Sequence, residues 1–168
     1  MLSKEIKLST ALFGALTVVP EEGMYQRFEL NIKNRVMNVS LFIHERALNG
    51  ENKAEIERFL NEIPNLYDKI KAATFEEKDS SPIIRYYLDE ELEIIENLHE
   101  IFEVASNDEI TDEMLINQLK IAGIGVYIDE KGDLNLNIDL TVERSYSDEL
   151  LVFYFNEQLD ISLITHES

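Results

Sequence analysis

Apolar and polar residues alternate along the first third of the chain with the period of two that half-buried β-strands show. The apolar run over residues 6–19 predicts a strand with a bulge or bend at Gly14, where glycine interrupts the pattern. A clearer alternation starts at Gln26, and a second alternating run follows Asn34. Because Asn accepts the backbone of a tight turn, residues 24–43 predict a β-hairpin.

The apolar spacing changes to the helical period from Asn49-Gly50 onward. It predicts two short helices that are separated or kinked at Pro64. Ser80-Ser81-Pro82 offers a capping hydroxyl and a proline near the first helical position, so a third helix is predicted from there to about Val104. Thr111 is followed by two acidic residues and predicts the start of another short helix.

The last third of the chain returns to the strand pattern. Residues 124–128 and 134–140 alternate on either side of a turn, and Leu150–Phe155 precedes a final strand over residues 160–165. Helices that lie between two groups of strands predict an α+β fold. Short hairpin connections favour an antiparallel sheet built from the N- and C-terminal hairpins, with a central helical block packed on one face.

The chain length and the absence of a linker-like segment predict a single domain over residues 1–168. Its expected parts are N-terminal strands over 1–48, a helical block over 50–120 and C-terminal strands over 121–168. No stretch approaches the roughly 18 apolar residues of a membrane span. The absence of cysteine excludes disulfides and thiolate metal sites and is typical of a protein in the reducing cytoplasm.

The net charge of the chain limits the classes of partner that it is expected to bind. With 15 Lys and Arg against 34 Asp and Glu, the formal net charge is −19. Such a surface repels nucleic-acid phosphates and anionic lipid headgroups, so we expect neither nucleic acid nor a membrane as a partner. A basic protein, in contrast, is attracted. The alternative is that the charge only keeps a small domain soluble.

The acidic residues concentrate in the predicted helical block. Residues 76–113 contain 14 Asp or Glu but only two cations, Lys78 and Arg85. The helical spacing places Glu90, Glu93, Glu96 and Glu100 on the polar side, which predicts an acidic face that binds a basic partner. The nucleic-acid-binding cleft of a nuclease toxin is one example of such a partner. Like charges on a helix are also often merely solvated.

No familiar catalytic motif occurs in the chain. It contains no phosphate-binding glycine loop, no G-x-S-x-G and no H-E-x-x-H. Glu96 and His99 have the spacing of helical di-iron ligands, but that site needs a second copy of the motif and further carboxylates. We therefore assign no metal ligand, no cofactor and no catalytic residue. Ser145 and Ser147 lie in a polar stretch that predicts a loop.

Four segments together resemble a known family. They are Phe13-Gly14, the run Arg85–Leu92, the run Ser147–Phe155 and the ending Ile164–Ser168. These segments and their order are similar to a bacterial family catalogued only as a domain of unknown function, number two thousand and four. The likeness covers most of the chain, but its motifs are short and mainly structural. It implies no established activity, so no catalytic residue is carried over.

Three hypotheses about function follow. The first is a non-catalytic cytoplasmic protein-binding module with an acidic helical face, of which an immunity-type protein for a basic toxin is one form. The second is an uncharacterised hydrolase or metal-dependent enzyme that uses a carboxylate cluster, with His99 as a candidate. The third is a subunit of a homo-oligomer in which an apolar edge strand, Leu150–Phe155, pairs with its copy.

Overall fold

The computed structural model describes residues 4–48 and 51–168. The predicted α+β class is confirmed. The helical spacing was predicted to begin at Asn49 and Gly50, and these two residues lie outside the described residues. The elements follow one another as β1 (Ile6–Thr10), β2 (Gly14–Val18), β3 (Met24–Ile32), β4 (Arg35–Ile43), α1 (Lys53–Asn61), α2 (Ile63–Glu77), α3 (Pro82–Ile94), α4 (Leu98–Ile101), α5 (Asp112–Gln118), β5 (Lys120–Ile128), β6 (Leu134–Thr141), β7 (Leu150–Phe155) and β8 (Ile161–Glu167).

A six-stranded sheet with the order β3-β4-β5-β6-β7-β8 forms the frame of the molecule. Four of its five strand pairs are antiparallel, as predicted, but β4 and β5 pair in parallel. The prediction of a wholly antiparallel sheet is therefore wrong at this junction. Parallel neighbours require a long crossover connection, and here the helices between β4 and β5 provide it.

The first two strands form a separate hairpin instead of one bent strand. Thr10 pairs with Gly14, and residues 11–13 make the turn. The Thr10 hydroxyl donates to the Gly14 carbonyl at 2.7 Å and accepts the Phe13 N–H at 3.0 Å, which closes the turn. Gly14 has a φ of 74°, so the glycine marks the end of a reversal and not a bulge within a strand.

Two glycines with left-handed backbone provide a matched stability test. Gly14 has free space where a Cβ would be, whereas a Cβ on Gly23 (φ 72°) would lie 2.5 Å from the Ile43 carbonyl oxygen and 2.9 Å from the Glu45 nitrogen. We expect Gly14→Ala to cost about 1–2 kcal/mol from backbone strain alone. Gly23→Ala adds the clash and should cost about 2–5 kcal/mol in urea unfolding. Equal losses would contradict this geometry.

The helices and the β1–β2 hairpin cover one face of the sheet and share a single hydrophobic cluster with it. The ring of Phe13 packs edge-on against Phe28 of β3 at 5.0 Å between centroids, and Phe59 of α1 lies 6.1 Å from Phe155 of β7. The opposite face of the sheet is called the open face below. It carries the exposed side chain of Tyr25 and the residues that are paired with Tyr25 on the successive strands. Phe42 and Leu163 on this face are also exposed.

The predicted helix from Ser81 to Val104 is in fact broken. The Ser81 cap is confirmed, since its hydroxyl accepts the Ile84 N–H, but α3 ends at Ile94 because Ile95 leaves the helical conformation (φ −94°, ψ 96°). Asn107 stabilises the break: its amide donates to the Ile95 carbonyl at 2.8 Å, and its carbonyl oxygen accepts the His99 N–H at 2.8 Å. The chain therefore turns before the short helix α4.

Other sequence predictions agree with the structure. Pro64 lies in the first turn of α2, directly after α1, as the two-helix prediction required. Thr111 caps α5 by accepting the Met114 N–H. In contrast, β7 lies between β6 and β8, so Leu150–Phe155 is not the edge strand that the homo-oligomer hypothesis proposed.

Candidate functional site

The four predicted partner-binding residues do not lie on one helix. Glu90 and Glu93 are on α3, Glu96 is in the connection after it, and Glu100 is on α4. Glu93, Glu96 and Glu100 are exposed, and Glu90 is half-buried. The prediction of a continuous acidic helix face is therefore wrong, because the helix breaks at Ile95. The acidic residues are instead spread over a helix, a connection and a short helix.

The two cations of the acidic block are bound by other carboxylates. Arg85 donates to both oxygens of Asp112, at 2.9 Å from Nη1 and 2.8 Å from Nη2, and also to Asp89 at 3.0 Å. This fork raises the pKa of Arg85 and lowers that of Asp112. Lys78 pairs with Asp79 at 2.9 Å.

Within the described ranges, no ion pair therefore neutralises any of the four predicted glutamates. Their negative charge is left facing solvent.

Exposed apolar residues lie on the same side of α3 as Glu90. Their exposure was not predicted from the sequence. Tyr86 is 52% exposed and Ile94 is 47% exposed, and Ile83 is also exposed. Together with Glu90, these residues have the spacing i, i+3, i+7 and i+11, which places them on one stripe of the helix. The signal in the sequence was three apolar residues outside the predicted buried stripe.

A shallow pocket of about 320 Å³ lies at the end of this stripe. Its lining consists of Ile94, Ile95, Glu96, Asn97 and Tyr146. Tyr146, from the loop between β6 and β7, is 45% exposed. The name α3 surface is used below for the stripe, the neighbouring exposed Glu93 and the exposed pocket residues Glu96 and Tyr146: Ile83, Tyr86, Glu90, Glu93, Ile94, Glu96 and Tyr146. It combines an apolar centre with carboxylates around it, the layout of a protein-binding surface.

A buried carboxylate lies behind the α3 surface. Glu91 has a relative exposure of 0%, and its Oε1 accepts the Ser147 hydroxyl at 2.9 Å. The same hydroxyl accepts the Glu149 N–H at 3.1 Å, whereas Oε2 of Glu91 has no protein partner within the described residues. Sequence analysis placed Ser147 in a loop without a role, because its partner lies 56 positions earlier.

Burial, helped by the nearby charges of Glu149 and Glu90, raises the pKa of Glu91 to about 7, against the opposing effect of the hydrogen bond from Ser147. Glu149 in turn faces Nε2 of His166, whose ring packs 5.0 Å from that of Tyr86. The hydroxyl and the imidazole thus belong to two separate pairs, Ser147–Glu91 and His166–Glu149. These two side-chain pairs hold the β6–β7 loop and the end of β8 against α3.

The candidate metal motif does not assemble in the described part of the chain. His99 lies on α4 with its Nδ1 3.1 Å from Oδ1 of Asn107, and Glu96 precedes that helix. Over residues 4–48 and 51–168 no group of three His, Asp or Glu side chains is placed to hold a metal ion. In the same ranges, no helix combines the length and apolar character needed to cross a bilayer.

Comparison with known proteins was made at three levels. Neither protein-family models, nor curated proteins, nor solved structures give a match to this chain. The similarity to the family of unknown function therefore stays a prediction from the four sequence segments. The α3 surface and its chemistry are therefore the observations that bear on the function of the chain.

Proposed function

We propose that this protein is a non-catalytic, cytoplasmic protein-binding module that binds a basic protein through the α3 surface. The observation that carries the proposal is the exposed pair Ile94 and Tyr146, which forms an apolar centre inside a rim of glutamates. Protein interfaces commonly combine an aromatic or aliphatic centre with a polar rim. A monomer has no need to expose these side chains side by side.

The glutamates around the apolar centre favour a basic partner in particular. Glu93 and Glu96 are exposed, while the two nearby cations are held by Asp79, Asp89 and Asp112. These two glutamates are part of the net charge of −19, which steers a basic protein toward the molecule at long range. An immunity-type protein that neutralises a basic toxin is one specific form of this function, since carboxylates on such a surface can occupy the sites that bind phosphates.

A site-specific cross-linking experiment tests the proposal. A photoreactive amino acid is placed at position 94 in one variant and at position 36 in a control, because Val36 is 59% exposed on the open face of the sheet. Both are irradiated in cells of the source organism, and the adducts are identified by mass spectrometry. We expect a basic protein cross-linked from position 94 only. The same adducts from both positions, or only acidic proteins, would contradict the proposal.

A further inference from the structure

A second concave site lies on the open face of the sheet, away from the α3 surface. Its volume is about 680 Å³, within the range of small-molecule sites. The polar side chains that line it come from β3, β4, β6 and the β6–β7 loop: Tyr25, Arg27, Glu29, Asn38, Ser40, Asp139 and Arg144. The cleft thus has a polar lining on the open face of the sheet.

Glycines in the central strand make room for the polar side chains beside this cleft. Gly123 and Gly125 lie on the open face of β5, opposite Asp139 and Asn137 of β6. A Cβ on Gly123 would lie 2.8 Å from Oδ2 of Asp139, and one on Gly125 would collide with the Asn137 amide. Glycine is a poor strand former, so its presence at both positions indicates that the space is used by the neighbouring polar side chains.

Two arginines from different parts of the chain line the cleft. Arg27 comes from β3 and Arg144 from the β6–β7 loop, and in the described part of the chain neither forms an ion pair with a carboxylate. The Tyr25 hydroxyl also lines the cleft, 3.3 Å from Oγ of Ser40. The hydrogen bonds with Ser40 and Arg27, and the charges of both arginines, lower the pKa of Tyr25.

A carboxylate forms the floor of the cleft. Asp139 is half-buried, its Oδ1 accepts the Asn137 amide at 2.7 Å, and its Oδ2 lies above Gly123. Arg144 is close enough to act electrostatically on Asp139 as well as on Tyr25. The cleft is therefore lined by two guanidinium groups and by Asp139, a hydrogen-bond acceptor.

We propose that this cleft binds a small organic acid that also carries a hydroxyl or amino group. Arg27 and Arg144 would hold the carboxylate of the ligand, since guanidinium groups bind carboxylates in a planar, two-point fashion. Asp139 would accept the hydrogen bond from the hydroxyl or amino group. The site is separate from the α3 surface and does not depend on the proposed partner. The two guanidinium groups share the cleft with the carboxylates of Glu29 and Asp139, a combination that matches a ligand carrying both a carboxylate and a hydrogen-bond donor.

A titration followed by amide NMR tests this site with four probes: citrate, L-malate, L-glutamate and inorganic phosphate. Each is added up to about 10 mM, which saturates even a site with a Kd near 1 mM. We expect at least one of the organic acids to shift the amide signals of Gly123 and Asp139. The variants Arg27→Gln and Arg144→Gln should each weaken that binding about tenfold.

Two further variants separate the proposed recognition from general anion binding. Arg46→Gln is the control, because Arg46 is an exposed arginine outside the cleft, and it should leave the affinity unchanged. Asp139→Asn should weaken binding of the organic acid but not of phosphate. The proposal is overturned if no organic acid shifts these signals, if phosphate binds as tightly as the acids, or if Arg46→Gln weakens binding as much as the cleft variants.

Discussion

Replacing Glu91 by Gln should make the protein more stable at pH 8 and leave its stability nearly unchanged at pH 5. Glu91 is fully buried behind the α3 surface, and one of its oxygens has no protein partner in the described structure. An ionised carboxylate is far more costly in such a place than a neutral amide of the same shape. Gln can still accept the hydrogen bond that the Ser147 hydroxyl donates to Oε1.

The pH window follows from the raised pKa of Glu91. Its ordinary value is 4.5 and its folded value is about 7, so the folded protein holds this proton more tightly than the unfolded chain does. The contribution of Glu91 to the free energy of unfolding is therefore complete below pH 4.5 and is lost as the pH rises through 7. The loss is on the order of 3 kcal/mol, at about 1.4 kcal/mol for each unit of pKa difference.

Urea unfolding of both proteins between pH 5 and pH 8 measures this effect. The matched control is Glu93→Gln, which removes a charge from an exposed position two residues along the same helix. We expect the stability gain of Glu91→Gln over the wild type to grow with pH, while Glu93→Gln shows a small and flat difference. A Glu91→Gln variant that is destabilised equally at both pH values would show that Glu91 is ionised and well compensated in the folded state.

Truncating the apolar centre of the α3 surface should weaken partner binding by at least about 30-fold. The double variant Ile94→Ala and Tyr146→Ala removes the two exposed side chains that line the small pocket. Buried aromatic and aliphatic anchors at the centre of an interface commonly contribute about 2 kcal/mol or more each when truncated. We expect the loss to appear mainly as faster dissociation, because short-range contacts act after the encounter.

The control for this experiment is a double variant on the opposite side of the molecule. Val36→Ala with Leu163→Ala removes two apolar side chains of similar exposure, 59% and 55%, from the open face of the sheet. Binding is measured against the protein that cross-links to position 94. The control should bind as tightly as the wild type, and both variants should unfold at similar urea concentrations. Equal weakening of binding by the two double variants would show that the α3 surface is not the partner-binding site.

Local patterns in the sequence predicted the features that depend on neighbouring residues. The Lys33-Asn34 turn has positive φ angles at both residues, as its asparagine indicated, and the Ser81 and Thr111 caps form as predicted. The parallel pairing of β4 with β5 was not predictable in this way. It depends on the path of the helices between these strands, and hairpin patterns carry no information on that path.

The candidate site was predicted in part. The acidic residues after Arg85 were recognised from charge counts, but the helix break at Ile95 was not, because Asn107 stabilises it from 12 positions further on. The Ser147–Glu91 hydrogen bond likewise joins residues distant in sequence. The exposed positions of Tyr86 and Ile94 were visible as apolar residues outside the buried stripe, yet only the structure shows Tyr146 beside Ile94.

The association rate with the cross-linked partner, measured as a function of ionic strength, shows whether the glutamates on and after α3 bind a basic protein. One variant neutralises Glu90, Glu93, Glu96 and Glu100 to Gln, and a control of equal net charge neutralises four exposed glutamates elsewhere, Glu21, Glu22, Glu45 and Glu130. We predict that the first variant associates about tenfold more slowly at low salt and responds less to added salt, while the control stays close to the wild type. Equal association rates and equal salt dependence for the two variants would contradict an acidic partner-binding surface at α3.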